Sequence, residues 1–206
     1  MEKHIDAFAI SLMLFLAGVV LGLQPSYGQK IIEEARKKEV DPTALLVNFR
    51  LILFNNGLIA LLSWAGWFTI PFMGVDCNPP SLMVYNIGAS FGAVIGNVSP
   101  IQTLLTFVSF GIIEALGFIF AVAGSLLFPK YLLLKILGKS VSLMEILKDS
   151  ATLLFYSFVF IFGGAIFEAF LIYPMTTVFA IIGGAVTTFF LIYFLVQAAF
   201  ERLLEN

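Results

Sequence analysis

Two carboxyl groups stand where carboxyl groups are expensive. Glu114 lies near the middle of an apolar stretch, 100–128, and Glu168 lies inside another, 151–173. A carboxylate at the centre of a membrane helix costs about 2.5–3.5 kcal/mol on insertion scales, so a chain that keeps two needs something to compensate. Asn55, Asn56 and Asn86 are the amides placed to do so. On a helical wheel Phe107, Gly111, Phe118, Ala121 and Ser125 share the face of Glu114. Ser157, Ile161, Gly164 and Ala165 share the face of Glu168. Small residues on both faces let another helix come close. Two chemistries follow. Neutral carboxyl groups bonded to asparagine amides would form a polar clasp between helices. The same groups would otherwise line an ion or proton path, or a polar substrate cleft.

Depth supports a meeting of these groups. Counting from the ends of their stretches, Glu114 sits about 21 Å from one membrane face and Glu168 about 25 Å from the same face. Asn56 also sits at about 25 Å, and Asn86 is shallower. Arg50 falls about 120° from Asn56 on its own wheel, which makes it a poor neutraliser for the acids.

The elements that must hold these groups are helices in a bilayer. The 206 residues are 60% hydrophobic and 12% charged, with 23 phenylalanines. Ordinary soluble domains carry about 25% charged residues, so the fold class is all-α: one polytopic transmembrane bundle over 1–206 with about six spans. The first span is 7–23, retained rather than cleaved, with Gly18 and Gly22 offering a close helix contact. The polar segment 24–43 makes a short surface helix. Asp41-Pro42 then reads as the start of the next helix, which spans 44–73, and 74–80 is a turn rich in Gly, Asn and Pro. The segment 81–98 is a barely sufficient span. Gly88, Gly92 and Gly96 give it a ridge for close packing, and its shortness also suits a broken or re-entrant helix. After the central helix, 129–150 carries lysines between leucines and reads as an amphipathic helix on the membrane surface. The last spans are 151–173 and 176–200.

Function classes narrow further. A net charge of −2 implies no nucleic-acid partner. The single cysteine, Cys77, makes no internal disulfide, and with the single histidine, His4, builds no ordinary zinc site. No histidine at membrane depth serves a serine hydrolase, the spans hold no aspartate pair for an intramembrane protease, and no Gly-rich loop leads to a phosphate-binding lysine. We therefore expect no enzyme, no cofactor and no metal. Lysine and arginine counts narrowly favour cytoplasmic N- and C-termini. The glycine pairs suggest a homo-oligomer in the lipid bilayer.

An ordered set of motifs adds a resemblance. Phe49-Arg50-Leu51-Ile52-Leu53-Phe54-Asn55-Asn56 is followed by Asn86-Ile87-Gly88, by Gly111-Ile112-Ile113-Glu114-Ala115, and by Ala165-Ile166-Phe167-Glu168-Ala169-Phe170. Together, over about 45–175, these resemble the stage II sporulation protein M (SpoIIM) family of integral membrane proteins. The family's usual Pro-His-Gly stands here as Ser109-Phe110-Gly111, so the two glutamates are what carries over. The resemblance implies a non-enzymatic membrane scaffold or remodelling component of a prokaryotic plasma membrane. The buried acids and the helix count alone suggest the alternative, a permease-like subunit that works with a separate ATPase or uses its glutamates as an ion or proton site.

Overall fold

In a computed structural model of the chain, residues 4–36, 43–73 and 80–205 are described. They contain helices and no strand. The elements are α1 (Ile5–Gly22), α2 (Pro25–Arg36), α3 (Leu45–Met73), α4 (Pro80–Asn97), α5 (Pro100–Thr106), a π-helical turn (Phe107–Gly111), α6 (Ile112–Ile136), α7 (Leu143–Ile172) and α8 (Thr177–Glu205). Among the described residues, five stretches are long and apolar enough to cross a membrane: Ile5–Gly22, Leu45–Gly66, Pro100–Ile136, Leu143–Ile172 and Thr177–Phe194. The chain is a membrane protein built as an all-α bundle.

α6 is the axis. Its residues Ile113 to Ser125 are all buried, and α1, α3, α4 and α7 all pack on it. α7 runs antiparallel to α6, since Glu114 meets Gly164, Gly117 meets Ile161, and Gly124 meets Ser150 and Leu153. α3 runs parallel to α6, with Asn56 at Glu114 and Trp64 at Gly124. Two consecutive parallel helices require a return path, and α4 makes it. α4 has 18 residues, and its glycines, serines and asparagines leave it less apolar than the five long stretches. The expected six crossings therefore resolve into five long apolar helices and one short helix sheltered by its neighbours.

That shelter comes from α1. Gly18 faces the Tyr85 carbonyl and Gly22 the Ala89 carbonyl, while Gly88 faces the Phe15 carbonyl and Gly92 the Val19 carbonyl. A side chain at any of the four would strike backbone. The two helices run parallel with glycine against backbone on both sides, the arrangement small-xxx-small spacing permits. Gly96 is looser, with Leu23 at 3.5 Å. α2 caps this pair: Gly28 sits beside Asn97 and the Gly22 carbonyl. The glycines that suggested an oligomer are thus engaged within one chain. The helix start read at Asp41-Pro42 and most of the turn read at 74–80 lie outside the described residues.

The surface helix expected over 129–150 does not form as one element. α6 continues through Pro129 to Ile136, and α7 begins at Leu143. Proline inside a helix costs about 3 kcal/mol and removes one hydrogen bond. Here that cost is offset by Leu127 and Tyr131, which pack into the apolar cluster on either side of it, and by Lys130, whose ammonium pairs with Asp6 at 2.8 Å. The real stop is Gly138, at φ 73°. Lys139 N–H donates to the Leu134 carbonyl and Gly138 N–H to the Lys135 carbonyl, the bond pair that closes a helix on a left-handed glycine.

Candidate functional site

Three helices bring the predicted groups together at mid-bundle. Asn56 on α3 donates its amide Nδ2–H to Glu114 Oε1 on α6 at 2.9 Å. The Glu168 carboxyl group on α7 lies against Glu114, and two such groups bond each other only where one holds a proton. Glu114 is 6% exposed. Its Cγ lies on Gly164, in the space a side chain there would fill. Glu168 is only half-buried. The depth argument thus finds its three groups, and Gly164 is the small residue that admits them.

The other predicted residues stand apart. Asn55 is exposed. It lies one residue, about 100°, around α3 from Asn56, and reaches only the Asn56 side chain, at 3.4 Å. Asn86 is exposed as well. α4 turns Val84 and Gly88 inward, which sends Asn86 the other way, and its carbonyl accepts from Ser90. Of the five polar residues named from sequence, Glu114, Glu168 and Asn56 form the site. Gly111 is buried at the end of the π-turn, where a Cβ would come within 3.3 Å of both Phe91 and the Thr106 carbonyl. Arg50 is exposed.

Just before Glu114 the helix widens. The Ile112 N–H donates to the Phe107 carbonyl, five residues back, so the turn is π-helical. Such turns occur as single insertions, frequently at functional sites. Thr188 on α8 donates to the Val108 carbonyl within this turn, at 3.1 Å. Ser109 turns its hydroxyl back to the Leu105 carbonyl at 2.5 Å, and its own carbonyl rests on Gly184 of α8. α8 is therefore fastened to the turn that aims Glu114.

Sequence reasoning missed several polar contacts. Trp64 donates to Ser150 Oγ at 2.8 Å, and Ser150 donates to the Gly124 carbonyl at 2.8 Å. Asn48 is buried on α3 at 4% exposure. His4 is buried and bonds Asp149 at 2.6 Å. Trp64 lies inside an apolar run and Ser150 at the edge of one, so neither was marked as a partner; nothing in the sequence marked His4 or Thr188.

No family model, curated protein or solved structure matches the chain.

Proposed function

We propose that this membrane protein is a non-enzymatic scaffold or remodelling component of a prokaryotic plasma membrane, as its ordered resemblance to stage II sporulation protein M implies. The observation that carries the reading is the closure of the Glu114 site. The carboxyl group has protein partners on two helices, and its stem fills the notch at Gly164. A group so enclosed serves as a pin between α3, α6 and α7. In lipid, where apolar contact alone gives helices little reason to prefer one another, such a pin supports a rigid body able to shape the membrane around it. Reconstitution into liposomes tests this: the protein should change vesicle shape or tether vesicles without raising ion flux. Flux without any effect on shape would overturn it.

One observation favours a second reading. The two carboxyl groups lie against each other, and Glu168 is less deeply buried than Glu114. A graded pair of this kind beside a π-turn suits a proton or ion site in a permease-like subunit. In that case the vesicles should show proton flux that Glu168→Gln abolishes while leaving the fold intact.

A further inference from the structure

Two amides face lipid, where nothing answers them. Asn55 on α3 and Asn86 on α4 are both exposed. The Asn86 side chain has no hydrogen-bond partner among the described residues. Asn55 has one long bond, at 3.4 Å to the neighbouring Asn56, and its own side-chain oxygen accepts none among the described residues. Both amides lie at membrane depth. α4 runs antiparallel to α3, with Met83 at Ser63. By that count Ser90 falls about level with Asn56, and Asn86 about level with Ala60. These α3 positions lie inside Leu45–Gly66, a stretch long and apolar enough to cross a membrane. An amide left unpaired in hydrocarbon is strongly unfavourable.

The two amides belong to one face. Ser63 of α3 bonds Met83 of α4, and Ile59 and Ile87 pack on the same apolar cluster, so Ile59 and Ser63 mark the side of α3 turned to α4. Asn55 is one turn before Ile59, about 40° away on the wheel. On α4, Ser90 lies about 20° from Met83, and Asn86 about 40° from Ser90. The Ser90 hydroxyl donates to the Asn86 carbonyl at 3.2 Å, which leaves the Asn86 amide free. Asn55, Asn86 and Ser90 therefore line the outer edge of the seam between α3 and α4. Phe54, Leu58 and Leu62 are exposed beside them on α3. The edge is apolar, uncharged, and dotted with hydrogen-bonding groups.

We propose that this seam is the interface with a second copy of the chain. An amide carries both donor and acceptor, so it is complementary to itself. A two-fold axis brings identical groups together. Copies inserted in the same sense share an axis along the membrane normal, so each group meets only groups at its own depth. Asn86 then pairs with its counterpart in the second copy, and Asn55 arrives at the depth of Ser90. A purely apolar partner would leave the amides as unmatched as lipid does. A charged partner would bring a charge to a face with none to receive it. The glycine ridge of α4 is already filled by α1, so the amides and the apolar side chains beside them make the contact.

The test uses the full chain in liposomes, carrying donor or acceptor fluorophores at the N-terminus and diluted with increasing lipid. Energy transfer should fall reversibly along a single dimer curve. Asn86→Leu should weaken association about 5- to 10-fold. Asn86→Gln, which keeps donor and acceptor, should retain it. Position 86 is exposed, so neither variant should lower the stability of the single chain in micelles. In a chain with Cys77→Ser, Asn86→Cys should form a disulfide between copies on oxidation. Phe189→Cys, exposed on α8, should not. A chain that stays monomeric at every dilution overturns the proposal. So does association that survives Asn86→Leu, or equal cross-linking at 86 and 189. Cross-linking of position 86 only to a different protein in cell membranes also overturns it, and identifies another occupant.

Discussion

Replacing Glu114 by alanine and by glutamine should give opposite results, and the difference measures the pin. Alanine removes the acceptor of the Asn56 amide and the carboxyl group that faces Glu168. Two hydrogen bonds at about 0.6 kcal/mol each would contribute about 1.2 kcal/mol. The side chain also leaves the notch over Gly164. A residual void of roughly 50 Å³ at about 24 cal/mol per Å³ adds about 1.2 kcal/mol. Glu114→Ala should therefore lose about 2.4 kcal/mol. Glutamine has nearly the same shape. Its oxygen accepts from Asn56 and its amide donates to Glu168, so Glu114→Gln should stay within about 0.6 kcal/mol of the natural protein. The assay is reversible unfolding in mixed micelles, followed by tryptophan fluorescence as denaturing detergent is titrated. Glutamine costing as much as alanine would refute the pin, since the charge and not the bonding geometry would then hold the helices. So would an alanine variant that costs nothing.

The remaining predictions concern packing and topology. Gly92→Ala should destabilise by about 1–3 kcal/mol, because its new methyl meets the Val19 carbonyl, whereas Gly96→Ala should be nearly neutral, with Leu23 at 3.5 Å; the same micelle titration compares them. Thr188→Val should cost about 0.6–1.7 kcal/mol by leaving the Val108 carbonyl of the π-turn without its donor, and hydrogen exchange should rise locally in 107–111. Arg36→Cys and Lys139→Cys, in a chain lacking Cys77, should react with an impermeant thiol reagent from opposite sides of the membrane, since α2 and the turn after α6 lie at opposite ends of the bundle.

The sequence made the bundle legible because apolar length and rare charges are what a bilayer selects. Mid-membrane depth even placed Glu114, Glu168 and Asn56 in one layer before any contact was known. What it missed has specific causes. Pro129 looked like a boundary, but a proline's local penalty was outweighed by contacts of Leu127 and Tyr131 with residues far away in sequence. Gly138, the residue that does end the helix, was hidden among lysines whose spacing imitated a surface helix. The π-turn leaves no mark in hydropathy, because one extra residue in a turn changes direction and not composition. Asn55 and Asn86 were over-read because an amide in a span suggests a partner, and rotation about the helix decides whether it finds one.

Three of the polar contacts between helices share a feature. Glu114 reaches Asn56 and Glu168 where Gly164 lets α7 approach. Thr188 reaches the Val108 carbonyl where Gly184 of α8 lies on the backbone of Ser109. Ser150 reaches the Gly124 carbonyl directly, with Trp64 bonded to the same hydroxyl. In each of these a glycine stands on one of the facing helices. Short polar side chains reach only about 3 Å beyond their own helix surface, so they bridge helices whose backbones nearly touch. Glycine permits that approach, and the bond then fixes rotation and register, which glycine alone does not. Moving a glycine by one position would displace its contact face by about 100° and leave its bond unmade. The glycines and the polar groups of this chain therefore act as matched pairs, and a substitution in either member should release the same helix contact.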